Sequence, residues 1–378
     1  MVKTGLQLAF LIIICYLTYA LSQLSEAERR AIESIFGLPK KQCECVPYYL
    51  CNDNNTINIH GEGIIDLREN NNECEDYMKR CCLLPNIKRE RNPEIPPVVS
   101  STGCGNRHPN GTAFQTIGDI NGEAKFGEFP WMVAILKEKT MDSKVFTVYQ
   151  CGGSLIHPRV VVTAAHCVNN KDISYMVRAG EWDTKTTDEI LKHQDRNVKS
   201  VMIHPEFYRG ALHNDIALLI LEDSIELAQH IDTICLPLQG TVTPDGRKCW
   251  ATGWGKDSFN KGTYQIILKK LKLPFVERNS CQNSLRTTRL GRYFVLHSSF
   301  VCAGGELGID TCKGDGGSPL VCQIEGSPNR YQQVGIVAWG IGCGEQGIPG
   351  VYVNVALFRN WIDNELAKEN LETSHYIH

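Results

Sequence analysis

The chain has 378 residues, 42% of them hydrophobic, and a formal net charge of -3. That length suits one large core plus a small module, at the usual prior of about 100 to 200 residues per domain, and the slight acidity leaves no basic footprint for DNA or RNA. Seventeen cysteines speak for an oxidising compartment, because cytosolic chains rarely keep so many thiols unless they bind metal, and the spacings do not favour metal.

Residues 1–22 read as a secretory signal: Lys3 supplies the positive end, Leu6 to Tyr19 the apolar run, and Ala20-Leu21-Ser22 a small-x-small cleavage site. The run is too short for a spanning helix of about 20 residues, and no other segment qualifies. Losing Cys15 with the signal leaves an even number of cysteines, which suits complete pairing. After a polar stretch with the pattern of a short helix (Ser25 to Phe36), cysteines cluster at Cys43, Cys45, Cys51, Cys74, Cys81 and Cys82. Residues 43–82 are a disulfide scaffold, since so small a core cannot cover its own conformational entropy. Spacing alone leaves the connectivity open. Within it, Ile64 to Arg68 reads as a strand. Val46-Pro47-Tyr48-Tyr49-Leu50 carries more apolar surface than such a core buries; it is either that core or part of a docking cleft for another protein.

Residues 83–116 form a linker. The basic run Lys88-Arg89-Glu90-Arg91 precedes Pro93, Pro96 and Pro97, a composition that is exposed and semi-extended. Arg89 and Arg91 are the candidate processing sites, with Arg107 as the alternative; a solubilising hinge is the competing reading. Asn54 and Asn110 head Asn-x-Thr sequons and are candidate glycan sites.

Residues 117–367 form the large domain. Gly127 to Ala134 runs into a first strand, short alternating strands bounded by Gly and turn residues follow, and Leu357 to Leu366 closes with a helical stripe. The expected class is all-β, an antiparallel barrel pair with a C-terminal helix. Its motifs are Cys151-Gly152-Gly153-Ser154-Leu155, Thr163-Ala164-Ala165-His166-Cys167, Asn214-Asp215-Ile216-Ala217-Leu218, Cys249-Trp250-Ala251-Thr252-Gly253-Trp254-Gly255, Asp310 to Leu320, Trp339-Gly340 and Gly350-Val351-Tyr352.

Together these resemble the chymotrypsin-like serine protease family, whose triad runs His, Asp, Ser. The resemblance implies a double barrel, the pairs Cys151–Cys167, Cys249–Cys322, Cys281–Cys302 and Cys312–Cys343, and a linker bridge Cys104–Cys235. It also implies a specificity pocket with Asp310, Gly340 and Gly350, and oxyanion amides at Gly314 and Gly316. Where the family reads Gly-Asp-Ser-Gly-Gly-Pro, however, this chain reads Gly314-Asp315-Gly316-Gly317-Ser318-Pro319. His166 and Asp215 remain, and Gly316 occupies the nucleophile position. Ser318 is two residues away, up to about 7 Å of extended chain, whereas a general base must lie about 2.6 to 3.2 Å from the hydroxyl it deprotonates; Pro319 further restricts it to extended conformations. Triad members act as a unit, so losing one leaves only binding and the amide site.

Two more departures follow. Ala338 replaces a serine that bonds to the family's aspartate. Gln115-Thr116-Ile117-Gly118-Asp119-Ile120-Asn121-Gly122 has no Lys or Arg before either isoleucine, so a trypsin-like cut cannot free the amine that pairs with the family equivalent of Asp315. Glu181, Asp183, Asp188 and Glu189 fall where calcium-binding members carry a carboxylate loop, a calcium site or simply a solvated acidic loop.

Cys43-Glu44-Cys45-Val46-Pro47-Tyr48-Tyr49-Leu50-Cys51 and the terminal Cys81-Cys82 resemble the clip domain of arthropod proteases and their inactive homologues, which implies Cys43–Cys81, Cys45–Cys74 and Cys51–Cys82. The whole resembles the clip-domain serine protease homologues. That family implies an extracellular haemolymph protein without a required cofactor, cut in its linker by a clip-domain activating protease. The cleaved form would self-assemble and help prophenoloxidase or phenoloxidase act in melanisation. The alternatives are a decoy that blocks the same cascade and a weak residual endopeptidase using Ser318.

Overall fold

The computed structural model describes residues 43–47, 64–66, 79–83, 103–112, 115–117, 122–141, 144–185, 189, 191–256 and 263–378. The signal, Arg89, Arg91, Asn54, Ile120 and Asp188 lie outside these residues, as do the side chains behind the three clip pairings, except that Cys45 is disulfide-bonded.

Strands β1 (Cys43–Pro47) and β3 (Lys79–Leu83) pair antiparallel. Strand β2 (Ile64–Asp66) pairs in parallel with β4 (Gln115–Ile117), Ile65 opposite Thr116. Ile117, one of the two isoleucines at which the family would free a new amino terminus, thus lies in a strand main-chain bonded to the clip module.

The first barrel closes in the order β10 (Ala217–Leu221), β7 (Val160–Thr163), β6 (Lys144–His157), β5 (Met132–Met141), β8 (Tyr175–Ala179) and β9 (Gln194–Ile203). The apolar runs dictate the inner strands. Val160-Val161-Val162 and Ala217-Leu218-Leu219-Ile220-Leu221 are buried on both faces, whereas Tyr175 to Ala179 alternates buried and half-buried, as a one-sided strand must. The second barrel closes as β11 (Lys248–Gly253), β12 (Lys269–Val276), β13 (Phe300–Gly304), β16 (Pro349–Asn354), β15 (Tyr331–Trp339) and β14 (Pro319–Gln323). The core runs on from the first barrel through Trp131 and Trp254 to Ile336, Val353, Ile362 and Leu366.

Helix α1 (Ala165–Val168) carries the histidine motif. Helix α2 (Arg278–Arg286) has no apolar stripe to announce it, but Glu277 caps it by accepting from the amides of Asn279 and Ser280, and it buries Cys281 and Leu285. The closing stripe begins as a 3-10 turn at Val355–Leu357, and helix α3 spans Arg359–Lys368. Disulfides join Cys104–Cys235, Cys151–Cys167, Cys249–Cys322, Cys281–Cys302 and Cys312–Cys343. No helix among the described residues is long and apolar enough to cross a membrane.

Candidate functional site

The cleft between the barrels holds the triad remnant. Asp215 is fully buried at the entry to β10; its Oδ1 accepts from the His166 amide at 2.7 Å and its Oδ2 lies 2.6 Å from His166 Nδ1. Nε2 therefore faces Gly316, and a Cβ placed on Gly316 would sit 2.9 Å from it. Cys167 Sγ lies 3.6 Å from the same nitrogen. The base is aimed at the nucleophile position, but that position carries no hydroxyl, and the imidazole lies close enough to leave no room for a Cβ there without a shift.

Ser318 is fully buried. Its hydroxyl is wedged at the seam of the two barrels, where a side chain on Gly152 would collide with it and one on Gly253 would approach within 3.3 Å. Gly317, at φ +81°, makes the reversal between the two positions; a side chain there would strike Thr163 and the Gly152 carbonyl. The loop is tied down at Gly316, whose carbonyl accepts from the Gly152 amide at 3.0 Å. It is also tied at Gly314, whose carbonyl accepts from the Tyr149 hydroxyl at 3.0 Å. The amides of Gly314 and Gly316 donate to no backbone carbonyl among the described residues.

Asp315 lies beneath this loop. Its Oδ1 accepts from the Gly255 amide and its Oδ2 from the Cys312 amide, both at 2.8 Å, and no cation pairs with it among the described residues. Burial pushes its carboxyl up to about 6, against the pull of those two amides. Asp310 accepts from the amides of Thr311 and Gly344 at 2.8 and 3.2 Å, and burial lifts it likewise to about 6. Both carboxylates open into one cavity of about 310 Å³, bordered by Gly122, Gly255, Lys256 and Lys269. Of the expected pocket residues, Gly350 meets Asp310, since a Cβ on it would lie 2.9 Å from Oδ1. Gly340 does not, and neither glycine borders the cavity. The space at Asp310 is continuous with the unneutralised Asp315.

The Asp315 carboxyl gives a pH prediction. Its unfolded value is the ordinary 3.8, so the folded chain holds the proton more tightly. The stability it contributes is complete below that value and is lost as pH rises through about 6. Two pH units correspond to about 3 kcal/mol. Chemical denaturation of the wild type between pH 4 and pH 7 should show a stability loss larger than that of Asp315→Asn by about this amount; parallel pH profiles would contradict the assignment.

The acidic loop departs from expectation. Glu181 and Glu189 come together with His193, their ligand atoms within 4.8 Å of one another. Asp183 instead turns to accept from the Lys185 amide at 2.9 Å. Glu181 Oε2 is already held by Arg178 at 3.2 Å, and burial followed by the Glu181 charge pushes Glu189 up to about 8. Two carboxylates and an imidazole are thus brought together here, and Asp183 is not among them.

Arg107, the alternative processing site, is engaged by the large domain. Its guanidinium bonds to the buried Glu128 and, at 3.2 Å, to Tyr331 Oη, and lies over the rings of Trp250, Phe129 and Tyr331 at 4.3 to 5.7 Å. Asn110 sits exposed in a turn, as a glycan acceptor must. His204 and His213, which flank turns in the sequence, are not free surface groups: His204 packs on Phe358 and Trp361, and His213 stacks on His297. No sequence pattern announces Tyr149 at Gly314 or His193 among the carboxylates.

This arrangement of barrels and triad remnant coincides with two family matches. Residues 120–362 match the family described as "Trypsin", and residues 38–83 match "Serine protease Clip domain PPAF-2". The chain belongs to the clip-domain serine protease homologues. A Galleria mellonella protein named "Phenoloxidase-activating factor 2" is 53% identical over 77% of this chain and 99% of its own length. Two Anopheles gambiae proteins named "Inactive CLIP domain-containing serine protease", A8 and A28, are 40% and 38% identical over 84% and 87% of the chain, covering 87% and 90% of their own lengths. The homologue thus shares both modules with relatives that carry the word inactive in their names.

Proposed function

We propose that this homologue is a secreted, non-catalytic cofactor of an extracellular clip-protease cascade, which binds prophenoloxidase and helps to activate it once its linker has been cut. The observation that carries the reading is the intact His166–Asp215 pair aimed at a glycine. The fold is retained while the attacking group is absent, so what survives is a binding surface. The name of the Galleria relative supports phenoloxidase as the target. No cofactor enters the scheme.

The test adds purified protein, intact or cut, to prophenoloxidase with its activating protease and follows phenoloxidase activity. A rise with the cut form supports the reading; a fall would identify a decoy, and no change would refute both. Processing has its own signature. The Cys104–Cys235 bridge lies downstream of Arg89 and Arg91, so after limited trypsin treatment the two modules should separate on a non-reducing denaturing gel. A single unreduced band would place the cut after Cys104 and contradict cleavage at Arg89 or Arg91.

A further inference from the structure

Beside the cleft, two loops make one surface. Residues 204–214 and 286–298 are joined where His213 and His297 stack with ring centroids 3.9 Å apart and planes 7° from parallel. Ser299 Oγ completes the joint by accepting from the Asn214 amide and bonding to His297 Nδ1 at 2.8 Å. The surface is preset. Phe294 packs edge-on to Trp339 at 6.1 Å, its carbonyl accepts from Arg286 Nε at 2.8 Å, and the Leu296 amide donates to Gln282. Leu212 is held at φ +56°, a left-handed conformation that a bulky residue keeps only when its surroundings impose it.

The chemistry of this surface is lopsided. From Arg278 to Gly305 the sequence contains no Asp or Glu, in a chain whose net charge is negative, and Glu206 is the one carboxylate of the facing loop. Arg209, Arg289 and Arg292 are exposed, and among the described residues none of them pairs with a carboxylate. Arg286 complements the C-terminus of α2 and spends its Nε on Phe294, but neither reason covers Arg292, which lies over the exposed ring of Tyr293 at 4.7 Å. The same two loops expose Tyr208, Tyr293 and Val295, which are 61%, 80% and 70% exposed. Burial, followed by the charge of His297, pushes His213 below its ordinary value.

We propose that this surface docks an acidic segment of a protein partner. Guanidinium forks match carboxylates two bonds at a time, and Tyr and Arg are the residues that dominate protein interface centres. Three unpaired cations divided between two loops, with apolar side chains among them, suit a short peptide carrying carboxylates and a hydrophobic anchor better than a continuous polyanion.

The direct test titrates the full chain into a fluorescein-labelled peptide alternating Glu with Leu and Tyr. A Gln-for-Glu peptide, a heparin fragment and phosphatidylserine vesicles serve as the other arms. The Glu peptide should bind and the Gln peptide should not, with affinity falling as salt rises. Arg209→Glu with Arg292→Glu should weaken binding about tenfold or more, as loss of facing charge pairs does, with an unchanged thermal midpoint because both residues are exposed. Tyr293→Ala with Val295→Ala should weaken binding while leaving the salt dependence intact. Equal binding to wild type and charge-reversed protein, no binding to the Glu peptide, or binding confined to heparin or vesicles would each overturn the proposal.

Discussion

Gly316→Ser combined with Ser318→Gly is expected to leave the protein a poor hydrolase, about 10²- to 10³-fold slower on arginyl peptides than the same swap carried with a repaired activation segment. A Cβ at 316 lands 2.9 Å from His166 Nε2, so the imidazole must shift before a hydroxyl fits. Asp315 is satisfied by two backbone amides and lacks the ammonium that shapes an oxyanion site in the family. Ile117 sits in a strand paired with Ile64–Asp66, and Ala338 cannot supply the bond to Asp215. Adding Ala338→Ser and Thr116→Arg, then cutting to free Ile117, should raise turnover more than any one change alone. Fluorophosphonate labelling reads the outcome: full labelling by the double swap alone would show that the loop already has its active shape.

Arg107→Ala should be among the most destabilising single changes in the large domain. Glu128 is fully buried and accepts from Arg107, from Lys270 Nζ at 3.1 Å and from the Lys125 amide at 2.8 Å. Removing the guanidinium leaves a buried carboxylate short of charge and strips the cation from three aromatic rings. Breaking a buried pair from one side costs about 3 to 5 kcal/mol, and for a domain of about 250 residues each kcal/mol moves the thermal midpoint by about 2 °C or more. A fall of about 6 to 10 °C is therefore expected. A shift under about 2 °C for Arg107→Ala would show that the cluster does not anchor the segment after Cys104.

What was legible in the sequence follows from where the forces are local. The barrels show in runs such as Val160-Val161-Val162 and Ala217 to Leu221, because burial on both faces demands unbroken apolar residues. The missing nucleophile shows because Gly316 and Ser318 are the two positions that depart from an otherwise intact loop motif. Arg107 was not legible. It reads like the linker arginines, and the rings that bury it come from Phe129, Trp250 and Tyr331, remote in sequence. The acidic loop was only partly legible for the same reason: nothing local to Glu181 and Glu189 announces that His193 joins them while Asp183 turns away. Strand β4 was likewise hidden, since parallel pairing of Gln115–Ile117 with Ile64–Asp66 is set by packing between modules and not by periodicity.

The central claim is that the homologue acts without cutting anything. It is tested most directly by comparing wild type with His166→Ala in the reconstituted mixture of prophenoloxidase and its activating protease. His166 is the one remaining group of the triad able to accept a proton from a nucleophile, yet in a pure cofactor it does no more than bond to Asp215. The account predicts the same phenoloxidase activity with either protein, at equal concentration and with equal linker cleavage. A loss with His166→Ala, in a variant whose thermal midpoint shows it folded, would mean that proton transfer at the cleft matters and that the protein is an enzyme after all.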